Sequence, residues 1–175
     1  MSYVDKTLLP GEAVEYRARV HWWIYLVPAF WSGLGLFLAL GGGGALWWRI
    51  QGETPPSEGE RGAWGFLVAV GAAVLAYGTY RMLKALIYDR TTELAVTTRR
   101  VVAKKGFIRR DTWELQRPKL ESVEVDQSLL GRVLGFGTLE LTGTGGGSSP
   151  LTMIRNPLAF RRAALTDAAA VRADI

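Results

Sequence analysis

The sequence predicts an α+β protein: a two-helix transmembrane hairpin, then a small β-barrel or sandwich capped by a C-terminal helix. Three observations carry this. The run from Val20 to Trp48 is free of charge and is bracketed by Trp22-Trp23 and Trp47-Trp48. A second apolar run extends from Gly62 to Tyr80. After Tyr88 the chain breaks into short alternating segments, and a helix signal closes it.

At about 1.5 Å per residue, a helix between the tryptophan pairs exceeds a hydrocarbon core of roughly 30 Å. Indole rings settle where headgroups meet acyl chains, so a pair at each end marks two interfaces. The alternative, a buried core helix, is disfavoured by length, since such helices average about 11 to 12 residues. The second run carries Trp64 near its start and Tyr77, Tyr80 and Tyr88 at or beyond its end, with Arg81 and Lys84 placed to snorkel. Between the runs, Gly52, Pro55-Pro56, Ser57 and Gly59 supply turn residues.

Charge orients the hairpin. The intervening loop holds Arg49 and Arg61, whereas Arg81, Lys84, Arg90, Arg99 and Arg100 follow the second run, and Lys6, Arg17 and Arg19 precede the first. The positive-inside bias then places both termini in the cytoplasm and the Pro-Pro loop outside, as a multi-pass protein of the cell membrane. No cleavable signal peptide is expected, because about twenty mixed residues precede an apolar run too long for a signal. Arginine outnumbers lysine in a chain rich in Ala and Gly, which points to a bacterium and hence to its inner membrane.

The expected organisation is a lead-in at 1–21 with one strand, a hairpin at 22–88 with spans at about 22–48 and 62–84 and an external loop at 49–61, and a cytoplasmic domain at 89–175. In the lead-in, Val14, Tyr16, Ala18 and Val20 alternate with Glu15, Arg17 and Arg19, so Glu12 to Val20 reads as a strand docked on the C-terminal sheet. Further strands are expected at Glu93–Thr97, Arg100–Lys104, Phe107–Leu115, Leu120–Asp126, Thr138–Thr142 and Leu151–Ile154. Asn156-Pro157 then resembles an N-cap with proline at the first helical position, opening a helix to about Arg172.

Several stretches together carry a resemblance: Thr97-Thr98-Arg99-Arg100-Val101-Val102, Lys105-Gly106, the run Leu120 to Thr138 with its Gln127-Ser128-x-x-Gly131-Arg132-x-x-Gly135-x-Gly137 core, and Ile154-Arg155-Asn156-Pro157 with Phe160. Over roughly residues 88 to 165 the chain resembles the bacterial pleckstrin-homology (PH) domain family, and more narrowly its short membrane-anchored kind. Leu9-Pro10-Gly11-Glu12 and the strand before Trp22 are similar to the lead-in of such proteins. The resemblance implies a PH-like fold of two orthogonal sheets closed at one corner by the C-terminal helix, and no enzymatic activity.

The residues agree with a non-enzymatic reading. Cysteine is absent, so disulfides and thiolate chemistry are excluded. His21 is the only histidine and is expected as a polar residue at the membrane interface rather than a metal ligand. Gly131, Gly135 and Gly137 lack the spacing of a nucleotide loop and read as turn glycines with positive φ. Neither a metal nor a cofactor is expected.

Residues 81–175 carry 16 basic and 10 acidic side chains, or +6, against a whole-chain net charge of +5, so the positive charge lies on the cytoplasmic side. The nearest polyanion after two spans is an anionic leaflet, not nucleic acid. Arg81, Lys84, Arg90, Arg99, Arg100, Lys104, Lys105, Arg109 and Arg110 can cradle lipid headgroups; the competing account is the solvent face of strands plus the topological bias, and it is favoured because no clear Lys-x(n)-Arg-x-Arg pattern is present. Leu129, Leu130, Val133, Leu134 and Phe136 form an apolar cluster that is a partner or membrane surface if exposed and core if folded beneath the sheets; the lack of polar spacers favours core. Gly65, Ala69, Ala72 and Ala76 recur along the second span, permitting either hairpin packing or a homo-oligomer. The functional expectation is a membrane-anchored scaffold whose partner is a membrane protein the sequence does not name; the alternative is a module binding anionic lipid or a small amphiphile.

Overall fold

The computed structural model describes residues 3–52, 55–106, 111–144 and 148–173. The chain forms two compact units, one made of Met1–His21 with Ile87–Ile175 and the other of Trp22–Leu86.

The first unit is built on two antiparallel sheets. β1 (Val14–Ala18), β2 (Glu93–Thr97), β3 (Arg100–Lys105) and β4 (Asp111–Gln116) lie in sequence order in one sheet. β5 (Leu120–Asp126), β6 (Phe136–Gly143) and β7 (Ser148–Arg155) form the other. The strand expected in the lead-in is β1, and its partner is β2, with Ala18 opposite Leu94 and Arg17 opposite Ala95. Residues 107–110, the start of the expected Phe107–Leu115 strand, lie outside the described residues.

Strand alternation sends Ala18, Leu94, Val96, Val101 and Ala103 from the first sheet, and Leu120, Val123, Leu139, Leu141, Leu151 and Ile154 from the second, into one buried core. The helix α5 (Pro157–Ala173) completes it with Phe160 and Ala164, both without solvent exposure. The opposite face of β2 and β3 is also covered. There Ala95 and Val102 pack with Val4 of α1 (Tyr3–Thr7), a one-turn helix the sequence reading missed. Coverage on both faces explains why β2 is a continuous apolar run, Leu94-Ala95-Val96, instead of an alternating one.

The sheets are open. Among the described residues they meet through an isolated bridge between Val20 and Ile154, flanked by the amide of His21 donating to the Met153 carbonyl at 2.6 Å and that of Arg155 to Arg19 at 2.9 Å. The fold is therefore a two-sheet sandwich and not the closed barrel that was one of the expected forms. The same contacts cover part of the free edge of β7 at Met153–Arg155.

The second unit is a helical hairpin. A 3-10 turn at Trp22–Tyr25 leads into α2 (Leu26–Ile50), and α3 (Glu58–Thr91) follows. The helix α3 starts before the apolar run because Ser57-Glu58-Gly59-Glu60 is a capping box: the Ser57 hydroxyl accepts from the Glu60 amide at 3.3 Å and Glu60 accepts from the Ser57 amide at 2.9 Å. It also outruns the apolar segment at its far end, since Arg81 to Thr91 contains neither Gly nor Pro to stop it. Backbones approach closely at Gly35, Gly71 and Gly78, where a Cβ on Gly71 would fall 2.4 Å from the Ala39 nitrogen. Elsewhere the apolar side chains face outward, Phe37 being 73% and Trp48 81% exposed.

Candidate functional site

Because β1 and β2 are antiparallel neighbours, the end of β1 and the start of β2 share one edge of the sheet, and the chain leaves the first unit there at His21 and re-enters at Ile87. This exit end collects basic residues. Arg17 and Arg19 lie along the end of β1, Arg90 just precedes β2, and Lys104 stands opposite Glu93 in register, with Lys105 beside it. An open cleft of about 450 Å³ is lined by Arg17, Arg19, Asp89, Arg90, Thr92 and Glu93, among others.

The cleft is only partly neutralised. Arg17 pairs with the Asp5 carboxylate, and Glu93 accepts from the Tyr3 amide at 2.8 Å, capping α1. The Thr92 hydroxyl is buried without a hydrogen-bond partner among the described residues. Lys104 holds its ammonium 4.7 Å from the Tyr3 ring centre.

The other expected basic residues sit elsewhere. Arg99 and Arg100 occupy the β2–β3 turn, about 13 Å along the strand from the exit end at roughly 3.3 Å per residue. Arg100 is committed internally. It reaches Glu12 at 3.0 Å, Glu114 at 2.7 Å and the Thr7 carbonyl; the Glu12 side chain is buried and that of Arg100 is partly exposed. Burial pushes the Glu12 carboxyl up, but hydrogen bonds from the Leu9 amide, Thr97 and Arg100 outweigh it and hold the group below the usual carboxylate range. Arg81 and Lys84 belong to the hairpin unit, beside the rings of Tyr77 and Tyr80. Arg109 and Arg110 lie outside the described residues. The nine basic residues therefore do not form one cradle, and the exit-end group recruits Arg17, Arg19 and Thr92, which the sequence reading had not assigned. Its only sequence signal was the polar phase of the β1 alternation, which placed both arginines on one strand face.

The apolar cluster is split as well. Leu129–Leu134 form a short helix, α4, started by the Ser128 hydroxyl accepting from the Gly131 amide at 3.1 Å and ended by Gly135 at φ 75°. Phe136 is buried and Leu134 half-buried, but Leu129, Leu130 and Val133 are 81%, 60% and 83% exposed. That corrects the expectation of core for these three, since helical spacing puts 129, 130 and 133 on one side and Gly131 on the other, where it packs against Phe136. Gly131 and Gly137 do not have positive φ; each is glycine because another carbonyl lies within 2.7 Å of any Cβ. His21, expected as a polar residue at the interface, packs inside the sheet unit. It is buried, its ring 5.3 Å from that of Phe136, and burial, reinforced by Arg155, lowers its pKa.

The family model for the bacterial PH domain matches residues 24–172. The chain belongs to the bacterial PH domain family. The match runs through the hairpin as well as the sheets. Bacterial PH domains share their fold class with modules that bind or interact and are generally non-catalytic, and no enzymatic family is indicated. No curated protein and no solved structure matches at a significant level.

Proposed function

We propose that this bacterial PH-domain protein is a non-enzymatic, membrane-anchored interaction module, a scaffold held on the cytoplasmic face of the inner membrane by the α2–α3 hairpin. The observation that carries it is the outward display of apolar side chains on two helices of 25 and 34 residues. A soluble core helix buries such residues, whereas a hydrocarbon solvent accepts them, and glycine contacts between backbones are how helices pair there. Charge orients the anchor with both termini inside. An impermeant thiol reagent tests this in a chain with no native cysteine: Ser57→Cys should label in intact spheroplasts and Glu121→Cys only after lysis, and the reverse pattern would invert the topology.

A second reading, recognition of an anionic lipid or small anionic amphiphile, is supported by the exit-end cleft with Arg17, Arg19, Arg90 and the unsatisfied Thr92 hydroxyl. On this reading Arg19→Gln and Arg90→Gln lower the anionic lipid retained by the purified full-length protein, while Arg99→Gln leaves it unchanged. A homo-oligomer fits the outward position of Gly65, Ala69, Ala72 and Ala76, all of which are exposed.

A further inference from the structure

The exposed residues of α4 are one face, not scattered ends. Leu129 and Val133 are four positions apart and Leu130 and Val133 three, so all three stack on the same side of the helix. That face is held outward. The Gln127 side-chain amide donates to the Phe136 carbonyl at 2.9 Å, the Ser128 hydroxyl caps the first turn, and Gly131 packs so tightly that a Cβ would fall 2.6 Å from the Phe136 carbonyl oxygen. With both ends tied and Leu134 and Phe136 turned inward, no small rotation hides Leu129, Leu130 and Val133.

Position supplies the occupant. The Phe136 ring packs on His21, the last residue of the sheet unit before Trp22 begins the apolar helices. The Asn156 amide donates to the Gly135 carbonyl at 2.8 Å, and its neighbour Arg155 binds the Arg19 carbonyl. The C-terminus of α4 is thereby fastened to the exit end of the domain. Arg132 is exposed on α4 and the helix contains no acidic residue.

We propose that α4 is a second membrane contact, inserting Leu129, Leu130 and Val133 into the headgroup and acyl boundary of the leaflet that holds the hairpin, with Arg132 at the phosphates. The proposal rests on the membrane-anchor reading above. A protein partner is the weaker occupant, because stable interfaces use roughly 20 to 30 residues a side and this face offers three apolar ones. A bilayer needs no such area here. The hairpin already fixes the domain at the surface, so insertion is intramolecular and carries little further entropic cost.

The test uses full-length protein in liposomes and single cysteines bearing a fluorophore at Leu130→Cys, Val133→Cys, the mid-span position Ala73→Cys, which is exposed on α3, and the far-end turn Thr98→Cys. Quenchers attached at known depths of the acyl chain report position. The expected result is a depth of about 5 to 10 Å for 130 and 133, as for interfacial helices, a deeper position for 73, and no lipid quenching at 98. Labels at 130 and 133 that are reached by aqueous quencher while 73 is reached only from lipid would overturn the α4 proposal and leave the anchor standing. Labels at 130 and 133 shielded from both quenchers would overturn it in favour of a protein contact. Aqueous quenching at 73 would instead refute the anchor reading and the α4 contact with it.

Discussion

The two units bury opposite things. In the sheet unit, Phe160, Leu139, Leu141 and Ile154 are removed from solvent and the backbone is paired in ladders around them. In the hairpin, the buried residues are Pro28, Gly35 and Gly42 on α2 and Gly71, Gly78 and Ala85 on α3, while Phe37, Leu40 and Phe66 point away. One unit is organised for water, with large side chains as the adhesive. The other leaves its large apolar side chains outward and brings backbones close at glycines, the arrangement that the proposed membrane anchor calls for. The sheet unit should therefore be most sensitive to volume removed and the hairpin seam to volume added, and that contrast can be broken experimentally.

Removing volume from the sheet unit should have the largest effect. Phe160 joins α5 to both sheets and packs edge-on against Tyr16 at 6.1 Å between ring centres. Phe160→Ala is expected to cost about 3 to 5 kcal/mol, seen as lost near-ultraviolet circular dichroism and early proteolysis of the sheet unit. The hairpin should stay membrane-extracted only by detergent. If the whole protein became carbonate-extractable, the two units would not be independent in the way their cores suggest.

Next comes the buried ion pair that ties the lead-in to the β2–β3 turn. Glu12→Gln removes the buried carboxylate that pairs with the partly exposed Arg100 and should destabilise the sheet unit by about 3 kcal/mol. The folded-state pKa of Glu12 lies below its ordinary 4.5, so its contribution is complete above that value and declines as pH falls further toward the folded pKa. His21 adds an earlier arm of the same sign: its folded pKa lies below the ordinary 6.5, so stability begins to fall as pH drops through 6.5. Urea unfolding across this range should show both arms in the native protein and a smaller lower arm in Glu12→Gln, where Asp5, held below its ordinary value by the hydrogen bond from Arg17, still contributes. An unchanged acid limb in the variant would show that other carboxylates carry it.

What the sequence made legible follows from periodicity. The strand Leu120–Asp126 and the opening of α5 at Pro157 have the expected positions because alternation and a proline at the first helical turn are local signals. Long-range consequences were hidden. Nothing local says that Arg100 is consumed by Glu12, 88 residues away, or that Arg17 and Arg19 share an edge with Arg90. The same distance effect shows that residues 88 to 175 alone are not the domain, because β1 fills a place in its sheet. For α4, the five apolar residues were visible, but which three faced outward depended on a six-residue helix too short to leave a periodic trace.

A smaller cost is expected from adding volume to the hairpin. A methyl on Gly71 would meet Ala39 and Gly35 backbone atoms at 2.4 to 2.9 Å, contacts that no rotamer change relieves. Gly71→Ala should cost about 1 to 3 kcal/mol, although alanine is the better helix former. Gly65→Ala, where no atom lies within 4 Å, should be neutral or stabilising. Steric trapping of the detergent-solubilised hairpin measures both, and equal effects at the two glycines would show that the seam between α2 and α3 is not where the helices touch.

The smallest effect on folding isolates the stripe that the seam leaves unused. Gly65, Ala69, Ala72 and Ala76 follow helical spacing on α3 and are all exposed, so the hairpin's own packing does not account for them. Ala72→Leu should change hairpin stability by less than about 0.5 kcal/mol, as surface substitutions do, since its side chain enters no contact between α2 and α3. If the protein assembles with itself through this face, the same substitution forces partner backbones apart and lowers the mass of the solubilised species. Mass measurement in detergent separates the outcomes: a smaller assembly in Ala72→Leu than in the native chain places self-association in the hairpin, and an unchanged assembly moves it to the sheet unit. A native protein that is monomeric at every concentration removes the homo-oligomer altogether, and leaves the small-residue stripe as a face for lipid or for a different membrane protein.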